Sequence, residues 1–342
     1  MATIVFVLLC ISSLWLSFYA DKKNKVIPFI LSAVILIIIS GFRDISVAID
    51  TQHYYAMFDD MMKGHEVYIN EKGFIWIFTN FLRIFPHPKY AIFVCSLLTI
   101  SLFYRRFWEL RKTHSLFFMC MVFVCMYFLR SMNIVRQFAA WAIVFWSLRF
   151  LEKKQYFIFG IIILVTAYCF HLSAVVGIAI LFFYLIKDYK NSKKAKFLFW
   201  VFIAGFLISI KTILSYVLDS YDMYLFLGNF QIGFLDIYKY LCLFVAIFLE
   251  KMSYPKIKDK RFKFYCGMYF IAISLDFISY FGSYIGRVGL YFTSFEFLFW
   301  GYILKNKDYK SLLRIFGMVM FIYMAFQYVY FDGFGIFPYK FV

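Results

Sequence analysis

Long apolar stretches separated by short charged interruptions run through the whole chain. They occupy residues 2–20, 26–42, 89–104, 115–131, 133–151, 156–170, 172–187, 197–217, 234–249, 264–281, 288–304 and 311–330. A helix that crosses a bilayer takes about 20 predominantly apolar residues, so this pattern predicts about twelve transmembrane helices, several of them recruiting flanking residues to reach full length. One further stretch, 73–85 (GFIWIFTNFLRIF), is apolar but contains Arg83 and stops at Pro86-His87-Pro88. The expected architecture is an all-α polytopic membrane protein, a single integral membrane domain over residues 1–342, with a re-entrant or interfacial helix near 73–85. The first stretch lacks the basic start and small-residue cleavage site of a signal peptide, and is read as the first spanning helix. No internal repeat is visible.

Composition agrees and charge supplies a direction. The chain is 64% hydrophobic and only 16% charged, with a mean hydropathy of +0.78. A soluble domain is roughly 45–50% apolar, and surface-to-volume scaling leaves no room to hide this excess in water. The net charge of +17 is concentrated in six interruptions: 21–25, 105–112, 152–154, 187–196, 250–263 and 305–310. These hold 23 of the 36 Lys and Arg. Short basic loops between apolar spans are the positive-inside signature, not the continuous basic groove of a nucleic-acid binder, so no nucleic-acid partner is expected. All seven cysteines lie in apolar stretches with no CxxC spacing, which reads as packing rather than metal or disulfide chemistry.

With the N-terminus outside and 73–85 not crossing, all six basic loops fall in the cytoplasm. The segments 43–72 and 219–236 then become extracytoplasmic loops. Several polar groups gather on that outer face. Arg136 and Gln137 open the span 133–151, His171 sits at the connection in CFHLSA beside Ser173, and Arg287 opens 288–304. Helix N-termini bind anions through free N–H groups and partial positive charge, and an arginine there adds a planar fork suited to phosphate oxygens. Each arginine alone also fits a snorkelling side chain. Arg43 can join the group or simply neutralise the end of span 26–42.

The loop from Gly41 to Glu71 is the most polar piece. Asp50 and His53 there suit acid–base work, but one carboxylate and one imidazole are too few for a metal, so no metal or cofactor is expected. Tyr54, Tyr55 and Phe58 offer either a sugar-stacking platform or an interfacial anchor. His171 is a candidate base or substrate ligand, or a hydrogen-bonded structural residue. Asp276 and Glu296 lie inside apolar spans and need partners in the bundle interior.

Five segments, in order, resemble a known family: FRDISVAIDTQHYYAMF, NEKGFIWIF, NIVRQFAAWAIVF, FHLSAVVGIAILFFY and GRVGLYF. They are similar to the EpsG-like branch of the Wzy polysaccharide (O-antigen) polymerases, over about residues 40 to 300. Where that family usually carries a Gly-Thr-Asp-Tyr run, this chain has Ala48-Ile49-Asp50-Thr51; the pattern keeps Arg43, Asp50, Glu71 and Gly73.

The resemblance implies a glycosyltransferase of the bacterial cell (inner) membrane that works without a metal on the extracytoplasmic, periplasmic face. Its substrate would be an undecaprenyl-pyrophosphate-linked oligosaccharide, joined repeat by repeat into O-antigen, capsule or exopolysaccharide. A flippase and a chain-length regulator are its implied partners, besides membrane lipid. On this reading His171 or Asp50 accepts the proton of the attacking hydroxyl. Arg43, Arg136, Gln137, Arg287, Tyr54 and Glu71 line the pyrophosphate and sugar site. The alternatives are a flippase or transporter of a lipid-linked or anionic solute, and a membrane O-acyltransferase.

Overall fold

A computed structural model describes residues 2–186, 260–278 and 283–305, and part of 315–341. The spans expected at 197–217 and 234–249, the loop 219–236 and the basic stretch 187–196 lie outside the described residues, as does most of 311–330. The chain divides into two compact units, residues 1–175 with 297–342, and residues 176–296.

The first unit is a helical bundle. It contains α1 (Ala2–Lys23), α2 (Val26–Gly41), α3 (Thr51–Lys63), α4 (Lys72–Ile84), α5 (Pro88–Leu110), α6 (Leu116–Asn133, with a π turn at Phe123–Tyr127), α7 (Val135–Glu152) and α8 (Tyr156–Cys169). Three of these, α1, α5 and α6, are long and apolar enough to cross a membrane. Among the described residues α2, α8 and the segment Leu172–Ile186 are shorter apolar helices. The interior is built on α6 and α7. Phe103 of α5, Tyr127 of α6, Trp141 and Phe145 of α7 and Phe297 pack ring against ring with centroids 4.9–5.7 Å apart. By contrast α1, α2 and α8 leave Ile4, Leu8, Trp15, Ile27, Ile30, Phe157 and Leu164 exposed. Apolar faces of this extent belong against lipid.

The two ends of the bundle differ in charge, and hydrogen bonds tie each end together. At one end Lys305 donates to Asp21 at 3.0 Å, and Asp21 accepts from Ser115 Oγ at 2.5 Å. There too Arg106 pairs with Glu152 and Arg149 with Glu109, the latter at 2.9 Å. Residues of the basic interruptions 21–25, 105–112 and 152–154, with Lys305, therefore share one end. At the opposite end lie the turns after α2, α6 and α8, together with α3 and α4.

The short apolar stretch forms a helix of 13 residues, about 20 Å long at 1.5 Å per residue, against a hydrocarbon core of about 30 Å. Gly73, Phe74, Phe78 and Leu82, spaced on one face, are buried, while Trp76, Arg83 and Ile84 are exposed. This two-faced helix stacks on α3 through Phe58, with ring centroids 6.0 Å from Phe74 and 5.3 Å from Phe78.

The second unit includes α9 (Gly177–Ile186), α10 (Lys260–Ile278), α11 (Ser283–Phe292) and α12 from Ser294, the last continuing to Lys305. The single span expected at 288–304 is broken at Thr293, whose hydroxyl donates to the Leu290 carbonyl at 2.6 Å. Glu296, buried, accepts a hydrogen bond from Tyr269 at 3.2 Å. That is the kind of partner an intramembrane carboxylate requires.

This two-ended arrangement is tested by labelling in a cysteine-free background. A cysteine at Tyr68, which is 89% exposed, reacts with an impermeant maleimide added to intact cells, and one at Lys154 reacts only after permeabilisation. Equal reactivity from the same side overturns the separation of the two ends.

Candidate functional site

Glu71 stands at the start of α4 but does not cap its own helix. Its carboxylate instead accepts from the Arg136 guanidinium at 2.8 Å through one oxygen, and from the Leu172 backbone N–H at 2.9 Å through the other. The Glu71 side chain is only 8% exposed and that of Arg136 19%, so the pair is largely removed from water. Arg136 also lies over the Phe74 ring, 5.6 Å from its centroid. Its Nε–H is buried without a hydrogen-bond partner among the described residues. The close seating of α4 depends on Gly73: a Cβ there would come within 2.7 Å of the Tyr168 ring and 2.9 Å of Cys169 Sγ.

His171 follows the end of α8. Its Nδ1 lies 2.6 Å from Ser173 Oγ, and the Ser173 backbone N–H points to the same nitrogen at 3.3 Å. A backbone N–H can only donate, so Nδ1 is the acceptor and the neutral ring carries its proton on Nε2. Gln137, fully buried, reaches Ser173 Oγ at 3.5 Å. The α6–α7 corner thus holds both partners of the α8 turn: Arg136 through Glu71, and Gln137 through Ser173.

Tyr54 sits on the inner side of α3, its ring stacked with Phe58 at 6.5 Å. Burial pushes the Tyr54 phenol above its usual range, Arg136 beside it pulls in the opposite direction, and Asp50 adds a smaller upward push. The phenol therefore feels both the arginine and the aspartate. Asp50 precedes α3 and makes no capping bond with its side chain, and no hydrogen bond to its carboxylate is seen among the described residues. Its backbone N–H is held by Asn133 Oδ1 at 3.1 Å. His53 is exposed on α3, and among the described residues no three His, Cys, Asp or Glu side chains converge.

Arg43 is engaged differently from the other arginines. It is 1% exposed and donates to the Ser40 carbonyl, to Thr51 Oγ1 at 3.1 Å and to the Met132 carbonyl at 2.8 Å. Burial lowers its pKa to about 10, so it stays charged at neutral pH and braces the loop after α2 against the end of α6. Arg287 lies in the second unit, exposed, in the second turn of α11.

Two contributors carried little sequence signal. Asn133 donates to the Phe334 carbonyl at 3.1 Å while accepting from Asp50, and so joins the loop before α3 to a tail over residues 332–341. That tail bonds Ala48 N–H to the Gly335 carbonyl at 2.7 Å, Ile49 N–H to Phe334 at 3.0 Å and Asp44 N–H to Lys340 at 3.0 Å. An asparagine between two apolar runs was the available hint for the first. The Asp332-Gly-Phe-Gly run, whose aspartate accepts from Ile336 and Phe337 N–H, marks a turn but not what it covers. Ala48 has φ +71°, a conformation natural to glycine.

These features define a polytopic helical membrane protein with a partly buried, charged site at the end opposite the basic loops at 21–25, 105–112 and 152–154. The chain belongs to the EpsG family, whose model matches residues 26–341. Membership fits a membrane protein of polysaccharide biosynthesis. Neither the curated proteins nor the solved structures yield a match.

Two variants test the loop geometry. Ala48→Gly relieves the left-handed strain, worth about 1 kcal/mol, and raises the melting temperature of the detergent-purified protein. Asn133→Leu leaves the Asp50 N–H and the Phe334 carbonyl without partners, at about 1–3 kcal/mol each, and lowers it. An unchanged melt in the second variant means that the tail is not held through Asn133.

Proposed function

We propose that this protein polymerises oligosaccharide repeat units carried on undecaprenyl pyrophosphate, at the extracytoplasmic face of the cell membrane. In each cycle a hydroxyl of the acceptor repeat attacks the anomeric carbon of the growing chain. The new glycosidic C–O bond forms as the bond to the lipid pyrophosphate breaks, its electron pair leaving with the pyrophosphate, and the hydroxyl proton passes to a base.

The observation that carries this reading is the junction of Arg136 with Glu71 and the Leu172 amide, at the end away from the basic loops at 21–25, 105–112 and 152–154. A guanidinium and a backbone N–H held together in a low-dielectric setting stabilise charge that develops on a leaving oxyanion. Arg287 is a second candidate for the clamp, and Arg43 serves the site by bracing the loop that carries Asp50. The proton inventory divides the two candidate bases. With Nδ1 accepting from the Ser173 N–H, neutral His171 offers an Nε2–H donor, suited to the departing pyrophosphate. The Asp50 carboxylate, next to Tyr54, is suited to take the acceptor's proton. Tyr54 and Gln137 then complete the polar wall.

The test is the polysaccharide profile of a strain lacking the gene, complemented with wild type, Arg136→Ala, Arg136→Lys or Asp50→Asn. Wild type restores a ladder of chain lengths. Arg136→Ala leaves single repeat units, a loss of about 10²–10³ in turnover for a removed oxyanion donor, and Lys restores only short chains because its charge lacks the fork. Full-length chains from both Arg136 variants overturn the clamp. Lipid-linked units trapped on the cytoplasmic face overturn the polymerase reading in favour of a flippase.

A further inference from the structure

The Glu71 carboxylate occupies a place built for an anion. Its partners are the two kinds of donor that protein sites use to bind phosphate: an arginine guanidinium and a backbone N–H at the start of a helical turn. Leu172 opens the 3₁₀ turn Leu172–Val176 that leads into α9, and its N–H is spent on a side chain a hundred residues earlier in the chain, at 2.9 Å. Glu71 gains nothing for its own helix from this position, since it leaves α4 without a side-chain cap. A third donor, the buried Arg136 Nε–H, is left without a partner among the described residues. A carboxylate has two oxygens in one plane and cannot serve every donor of this cluster, whereas a phosphate presents oxygens in three dimensions.

We propose that Glu71 is a built-in stand-in for substrate: in the empty protein its carboxylate fills the anion site of Arg136 and Leu172, and the substrate's pyrophosphate displaces it. The proposal rests on the reading of this cluster as the pyrophosphate site. Its effect is twofold. An arginine buried without a counter-charge is costly, so the resident carboxylate keeps the empty site folded and in register. The same carboxylate competes with every weaker anion, so that only a ligand able to engage Arg136 and Leu172 together takes the site. This is selection by a competing contact rather than by a closer fit. Glu71 is thus a gatekeeping residue and not a ligand of the substrate. Its removal raises affinity, where a merely structural role predicts that removal lowers it.

The measurement is calorimetric titration of the full-length protein in nanodiscs with inorganic pyrophosphate, for wild type, Glu71→Gln, Arg136→Ala and the double variant. Glu71→Gln keeps an oxygen for the Leu172 N–H but removes the competing charge. It binds about tenfold more tightly than wild type, equivalent to about 1.4 kcal/mol. Both variants that lack Arg136 bind at least tenfold more weakly than wild type. Undecaprenyl pyrophosphate placed in the disc weakens the apparent affinity for inorganic pyrophosphate, which identifies the lipid-linked group as the occupant; free pyrophosphate binding untouched by the lipid overturns that assignment.

Equal or weaker binding by Glu71→Gln, with binding still dependent on Arg136, overturns the stand-in and leaves the polymerase reading intact. No binding by any form overturns both. A structure of the wild-type protein with pyrophosphate decides the matter without a variant. The Arg136–Glu71 contact opens from 2.8 Å to beyond salt-bridge distance, or else the pair stays closed with the anion bound elsewhere and the proposal fails.

Discussion

A carboxylate buried in a low-dielectric setting must be paired or lose its charge, and Glu71 meets that condition with two partners from distant parts of the chain. One is Arg136 at the start of α7 and the other is the amide of Leu172 after α8. Because both oxygens are used, the start of α4 is fixed against two other helices at once. The rest of the site follows from that placement. The α4 helix brings Phe74 under the Arg136 guanidinium and Phe78 against Phe58, which sets α3, and α3 carries Tyr54 and follows Asp50. Gly73 is the steric condition for the arrangement, since any side chain there meets Tyr168 and Cys169.

The same economy governs the membrane part. With α6 and α7 buried almost all round, aromatic packing rather than polar contacts fills the interior. Among the described residues of the first unit the ion pairs lie at the two ends, where they lock different things. Arg106, Glu109, Arg149 and Glu152 join α5 to α7 at the basic end. Arg43, Glu71, Arg136 and Asn133 join loops to helix ends at the other.

Much of this was legible in the sequence because it depends on period and length. The apolar stretches match α1, α2, α6, α7 and α8 to within three residues at each end, while α5 runs six residues beyond its stretch, to Leu110. The stretch 73–85, which holds Arg83 and stops before Pro86, read as re-entrant or interfacial because its crossing would put a basic loop outside, and the structure gives a helix of 13 residues buried along one face. Counting spans against basic loops put Arg136 and His171 at the end away from the interruptions 21–25, 105–112 and 152–154, where the structure has them. What could not be read is direction at the level of single side chains. Arg43 and Arg136 look alike in sequence, each at the end of an apolar run, yet one spends its donors on backbone and a threonine and the other on a carboxylate. The break at Thr293 was invisible because the Thr293-Ser294 pair lies inside an otherwise largely apolar run. The tail over 332–341 was invisible because it pairs through backbone groups, to which side-chain patterns are silent.

That tail has a consequence for how the protein is made. Residues 43–50 leave the ribosome early, but the groups that hold them, at Gly335, Phe334 and Lys340, are translated roughly 290 residues later. At about 5–20 residues per second the interval is about 15 to 60 s. Throughout that time the loop bearing Asp50 lacks its backbone partners, although the helices on both sides of it are already synthesised. A nascent chain that has not yet reached residue 334 therefore holds the first helices of the bundle without the backbone contacts that set the loop bearing Asp50. Synthesis of residues 334–340 thus doubles as the step that sets the conformation of the Asp50 loop.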